Sequence, residues 1–156
     1  MPVQSREELI AKKAFFFLKS FFYSEEVRIS HPSGDLGIDL LIEIPKDRHW
    51  PGWTLGVQVK EYLDMPSPLE RNRVASAESR RHNLDKVPFP LVLCVVEVRA
   101  TRGFYTWILE PVVEQKHPRL KQPDEYEWDL INVKTVHEMY VKASRYWEAL
   151  VHHVRE

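Results

Sequence analysis

Two short segments of this chain carry residues whose types and spacing could act together on a phosphodiester. They are Gly37-Ile38-Asp39-Leu40-Leu41-Ile42-Glu43 and Gly56-Val57-Gln58-Val59-Lys60. Each sets isolated polar residues among branched apolar ones, the composition of a β-strand. Asp39 offers a carboxylate to a hard cation, and Gln58 offers a carbonyl oxygen to the same ion. Lys60 can hold an attacking water or a developing negative charge. Joined by a hairpin, the three suit a metal-assisted attack. Asp39 is the hardest to read as ordinary, because a charge between Ile38 and Leu40 needs a partner. The alternation of Gly56, Gln58 and Lys60 is, by itself, what any half-solvated strand shows. Asp39, Leu41 and Glu43 share a face, and Glu43 reads as an edge carboxylate rather than a second ligand.

The elements that must position these groups follow from periodicity and breakers. Ser5 with Glu8 three residues on makes a capping box. The apolar face that follows, from Leu9 to Phe22, predicts a buried first helix over Ser5–Phe22. Strands are expected at Val27–Ser30 and Leu36–Ile44, with Asp35 as a turn residue before Gly37. Pro45–Gly52 reads as a loop, and Trp53–Lys60 as the third strand, with Leu55, Val57 and Val59 facing a core. A polar second helix is expected over Leu69–Leu84. Leu91–Val98 is a continuous branched apolar run, as in a strand covered on both faces. Phe104–Leu109 is its expected hairpin partner, Pro111–Glu125 is irregular, and Trp128–Val133 is one more short strand. Thr135–Val154 is an amphipathic helix. The order predicts a mixed sheet flanked by helices.

Composition narrows the class. The 156 residues suit one domain, 1–156, with a real core, and 44% hydrophobic with 29% charged residues reads as globular. A net charge of -1 gives no global pull toward nucleic acid, so such a site must rest on local charge. The single Cys94 excludes an internal disulfide and a cysteine-based zinc site; among Val92, Leu93, Val95 and Val96 it reads as a buried filler. The seven histidines show no metal spacing. No signal peptide or bilayer-length apolar run is visible, so no membrane partner and a reducing, cytoplasmic setting are expected. On the second helix, Arg71, Arg73, Arg80 and Arg81 are either a solvated face or phosphate contacts. Trp50 and Trp53 at the hairpin tip either pack a loop or stack on bases.

The order of elements and the strings Gly37-Ile38-Asp39, Gln58-Val59-Lys60, Pro90-Leu91-Val92-Leu93 and Trp107-Ile108 resemble the PD-(D/E)XK nuclease superfamily. The likeness covers roughly the first two-thirds of the chain and is strongest to a bacterial branch of unknown function. It implies an α/β, restriction-endonuclease-like αβββαβ core, here with an extra C-terminal helix. It further implies a DNA endonuclease using Mg2+ or Mn2+. Asp39 and Gln58 then map to metal-holding positions and Lys60 to the catalytic lysine. A glutamate from the first helix maps to Glu8, with Glu7 as its competitor. Cutting both strands of a duplex needs two such sites, which a homodimer would supply. Gln58 is neutral where many members carry Glu. That favours an alternative: a nuclease-fold module, weak or inactive in catalysis, that binds nucleic acid or a protein. A plain interaction protein using its aromatic surface is a further alternative.

Overall fold

Ser5 accepts a hydrogen bond from the Glu8 backbone N–H at 3.1 Å, which caps α1 (Arg6–Phe22). The computed structural model describes residues 5–34 and 37–155, with side chains to residue 152; Asp35 and Leu36, expected to form a turn and open a strand, lie outside the described residues. Glu7 and Glu8 in the first turn and Lys19 in the last complement the helix dipole. Ala14, Phe17, Leu18 and Phe22 recur every three or four positions and are buried.

A three-stranded antiparallel meander follows: β1 (Arg28–Ser30), β2 (Leu40–Lys46) and β3 (His49–Tyr62). The expected loop over Pro45–Gly52 is instead a tight turn at Asp47 and Arg48, with φ of 49° and 66°. Such paired left-handed residues match the twist of the flanking strands. The β2–β3 register shifts between Ile44 and Lys46, and Gly52 at φ 85° absorbs the irregularity. Pro51 lies before the β3–β4 ladder begins at Gly56, so its missing N–H costs no bond there. At the tip, the Arg28 guanidinium lies 3.9 Å from the Trp50 ring centroid, and Trp53 is buried in the core.

From β3 the chain crosses over through α2 (Pro68–Arg81) and a short 3-10 turn (Leu84–Lys86) into β4 (Leu91–Glu97), which pairs parallel to β3. Antiparallel β5 (Arg102–Glu110) follows. Its far edge carries β6 (Arg119–Leu120) at one end and β7 (Asp129–Leu130) at the other. Among the described residues seven strands form one mixed, mostly antiparallel sheet. Finally α3 (Val133–Arg155) starts two residues before the expected Thr135, because Asn132 and Thr135 cap it reciprocally.

Alternation along β3 sorts the core. Leu55, Val57 and Val59 join Leu40, Ile42 and Val92 under α1 and α3. On the opposite face Leu91, Leu93, Val95 and Ile108 pack with Ala75 of α2. The β2–β3 ladder ends at Leu40 opposite Val57, whereas β4 follows β3 to Tyr62. From Gln58 to Tyr62, β3 is therefore paired in a ladder on one side only. None of the described helices is long and apolar enough to cross a membrane.

Candidate functional site

Just before β2 begins, and beyond the last pair of its ladder, Asp39 takes over the edge of β3. Its backbone N–H donates to the Val57 carbonyl at 2.8 Å, and its carboxylate Oδ2 accepts from the Val59 N–H at 2.7 Å. The side chain thus satisfies a backbone donor that a strand would otherwise have taken. Odd residues of β3 face α1 and α3, so Gln58 and Lys60 face the other way, toward α2. Asp39, Gln58 and Lys60 consequently line one cavity of about 470 Å³, with Phe15, Gly37, Glu61, Tyr62, Glu78, Arg81 and His82 among the other wall residues.

The Lys60 ammonium lies 2.9 Å from Glu78 Oε1, and Glu78 is nearly buried. Arg81 and His82 each approach the same carboxylate at 3.3 Å. Burial pushes the Glu78 carboxyl up, but the hydrogen bond from Lys60 and the charges of Lys60, Arg81 and His82 bring it below the usual range. The Asp39 carboxyl moves the other way. Burial raises it, and the Glu78 charge adds to that, against the Val59 N–H, Lys60 and His82. Glu61 is raised as well, by burial and then by the charge of Asp39. Gly37 has φ +73°, and a Cβ there would lie 2.3 Å from His82 Nε2. The glycine of the Gly-Ile-Asp string therefore leaves room for the imidazole that closes the cavity.

Gln58 is the odd group in this wall. It is 1% exposed, and neither Oε1 nor Nε2 finds a hydrogen-bond partner among the described residues. An amide so placed normally costs stability unless something completes it. A hard cation would accept Gln58 Oε1 and the free oxygen of Asp39, and would relieve the crowding of Asp39 and Glu61. These donors are all oxygens and fit Mg2+, which keeps waters and takes one or two carboxylates plus substrate phosphates. They do not make a closed protein cage: no group of three or more His, Cys, Asp or Glu among the described residues is placed to hold a metal.

Glu8 does not join the cavity. It sits exposed in the first turn of α1, as does Glu7, and the residue that α1 contributes is Phe15, two turns further on. The four arginines of α2 also divide. Arg71 turns inward, donates to the Pro66 carbonyl at 2.9 Å and lies 4.5 Å from the Phe104 ring centroid, which leaves it packing the fold. Arg73 pairs with Glu70 at the surface, while Arg80 is exposed and Arg81 stands at the cavity mouth. Sequence reasoning missed Glu78 and His82. Their signal was the stripe Arg71, Ala75, Glu78, His82, spaced four, three and four, which marks the α2 face against the sheet. No protein-family model, curated protein or solved structure matches this chain.

Proposed function

We propose that this chain is a metal-dependent DNA endonuclease of the restriction-endonuclease-like kind. The observation that carries the reading is the buried, unpartnered Gln58 amide in one cavity with Asp39 and Lys60. The element order α1-β1-β2-β3-α2-β4, with an antiparallel meander and a parallel fourth strand, supports it. Asp39 and Gln58 would hold Mg2+ or Mn2+, which when bound polarises the phosphodiester and lowers the pKa of a bound water. Lys60, drawn from Glu78 toward the arriving phosphate, orients the water or steadies the negative charge of the transition state. Exposed Arg80, with Arg73 and Arg81 released from Glu70 and Glu78, would meet the flanking backbone electrostatically.

Two observations favour the second reading, a nuclease-fold module that binds nucleic acid or a protein partner without efficient cutting. The lysine is already engaged by Glu78, and one neutral amide stands where a second carboxylate would strengthen the metal site. The deciding experiment incubates duplex, branched and single-stranded DNA with the protein in millimolar Mg2+ or Mn2+. The expected result is cutting, lowered by about two to three decades in Lys60→Ala. If wild type and Gln58→Glu both leave every substrate intact in Mn2+, the endonuclease reading fails.

A further inference from the structure

Beside the cavity of Asp39 and Lys60 lies a second and larger one, about 610 Å³, lined by Lys12, Lys13, Phe16, Val96, Val98 and Thr101, among others. Phe16 is 80% exposed, an unusual position for a phenyl ring in the middle of a helix that buries Phe17 and Phe22. Lys12 and Lys13, one turn before it, are exposed and form no ion pair among the described residues. The floor is the end of β4, Val96 and Glu97, with Val98 beyond it, and Glu97 is engaged by Arg102 at 3.0 Å. We infer that this cleft takes the base of an unpaired nucleotide next to the phosphate held at Lys60, so that the substrate is single-stranded or locally opened DNA. The inference rests on the endonuclease reading and names its substrate class.

Position carries the argument. Glu61 and Tyr62 line the first cavity, and their register partners on β4, Val96 and Glu97, line the second. Adjacent strands are about 4.8 Å apart, and Val96 shares the α1 face with Val59, so the cavities approach each other on that face beside Glu61, while Lys60 turns toward α2 around the free edge of β3. Phe15 and Phe16, consecutive on α1, face one each. A backbone running from one cavity to the other would pass Glu61 and the Arg102-paired Glu97 before it met Lys12 and Lys13, and its base would meet an exposed ring face. Aromatic stacking is the usual way to hold an unpaired base, and a base within a duplex has no free face to offer. Charge argues against a second copy of this chain as occupant, because a two-fold contact there would set Lys12 and Lys13 against their own counterparts.

The test measures binding by fluorescence anisotropy in EDTA, with a labelled oligothymidylate and a duplex of equal length. Phe16→Ala should weaken single-strand binding roughly fivefold to 150-fold, the range for losing one base–aromatic stack, and leave duplex binding alone. Phe16→Tyr should keep the affinity, and Phe16→Leu, still apolar but without a π face, should lose it. Lys12→Gln/Lys13→Gln should lower the salt slope by about 1.4. The ring is so exposed that these variants should fold. If Phe16→Leu binds like wild type, or if sedimentation shows a dimer that Phe16→Ala dissolves, the inference is overturned. Cleavage is scored separately. Loss of single-strand binding in Phe16→Ala with no cutting by either wild type or Gln58→Glu supports the cleft and sinks the nuclease. Cutting that depends on Lys60 but not on Phe16 does the reverse.

Discussion

Replacing Lys60 with Met removes the ammonium and keeps the length of the aliphatic stem. Glu78 then loses its contact at 2.9 Å and keeps only Arg81 and His82, both at 3.3 Å. Stripping one partner from a fully buried pair costs about 3–5 kcal/mol, and from an exposed pair about 0–1 kcal/mol. Glu78 is nearly buried, but the Lys60 side chain is 35% exposed and Arg81 and His82 remain beside the carboxylate, so the expected loss at pH 7 is about 1–2 kcal/mol. At this chain length that lowers Tm by roughly 2–8 °C. The pH dependence has a definite sign. Glu78 is depressed in the fold, so its pairing stabilises above the ordinary carboxyl pKa of 4.5 and fades as pH falls through the lower folded value. In the variant the hydrogen bond and charge of Lys60 are gone, so Glu78 protonates at a higher pH than in the wild type. The gap between the two proteins should therefore be full at pH 7 and narrow steadily below about pH 4.5. Urea or thermal unfolding at pH 7, 5 and 3.5 measures it. A variant as stable as wild type at pH 7, or a gap that widens on acidification, would refute this account of the pair.

Gln58→Met should raise stability by about 1–2 kcal/mol in urea unfolding, since it replaces an amide with two unsatisfied atoms by an apolar side chain of similar shape, and calorimetry should show metal binding lost. Gly37→Ala should cost about 1–3 kcal/mol, from a left-handed φ and the displacement of His82; adding His82→Ala should recover only the part due to the clash. Cys94 is fully buried, and burial followed by the charge of Asp39 pushes its thiol up, so it should resist alkylation in the native protein and react only as fast as the fold opens.

Much of this arrangement was legible because it is local. Alternation in Trp53–Lys60 placed Gln58 and Lys60 on one face, and the capping pair Ser5 and Glu8 fixed the start of α1. The proline-rich stretch misled, since Pro51 and Gly52 read as loop yet sit in a strand whose irregularity absorbs them. Glu8 was the natural second carboxylate by likeness, but the reach of α1 over the sheet decides which of its residues meets the site, and that residue is Phe15. Glu78 and His82 were hidden because their role depends on how α2 crosses over to β4, a tertiary fact that helix periodicity reveals only as a face. Arg71 looked like a surface cation and became a buried one, held by two aromatic rings and a carbonyl.

The one-sided pairing of β3 from Gln58 to Tyr62 has a consequence for solubility. An open strand edge is a template on which other chains can add, and proteins discourage this with charge. Here Asp39 occupies the first free donor, and Lys60 and Glu61 stand along the remainder of the edge. The groups assigned to chemistry are thus also gatekeepers against edge-to-edge aggregation. A variant that neutralises both Lys60 and Glu61 would expose Gln58-Val59-X-X-Tyr62 as a flat, uncharged, β-prone segment, and it should deposit as fibrous or amorphous material at concentrations where the parent chain stays clear.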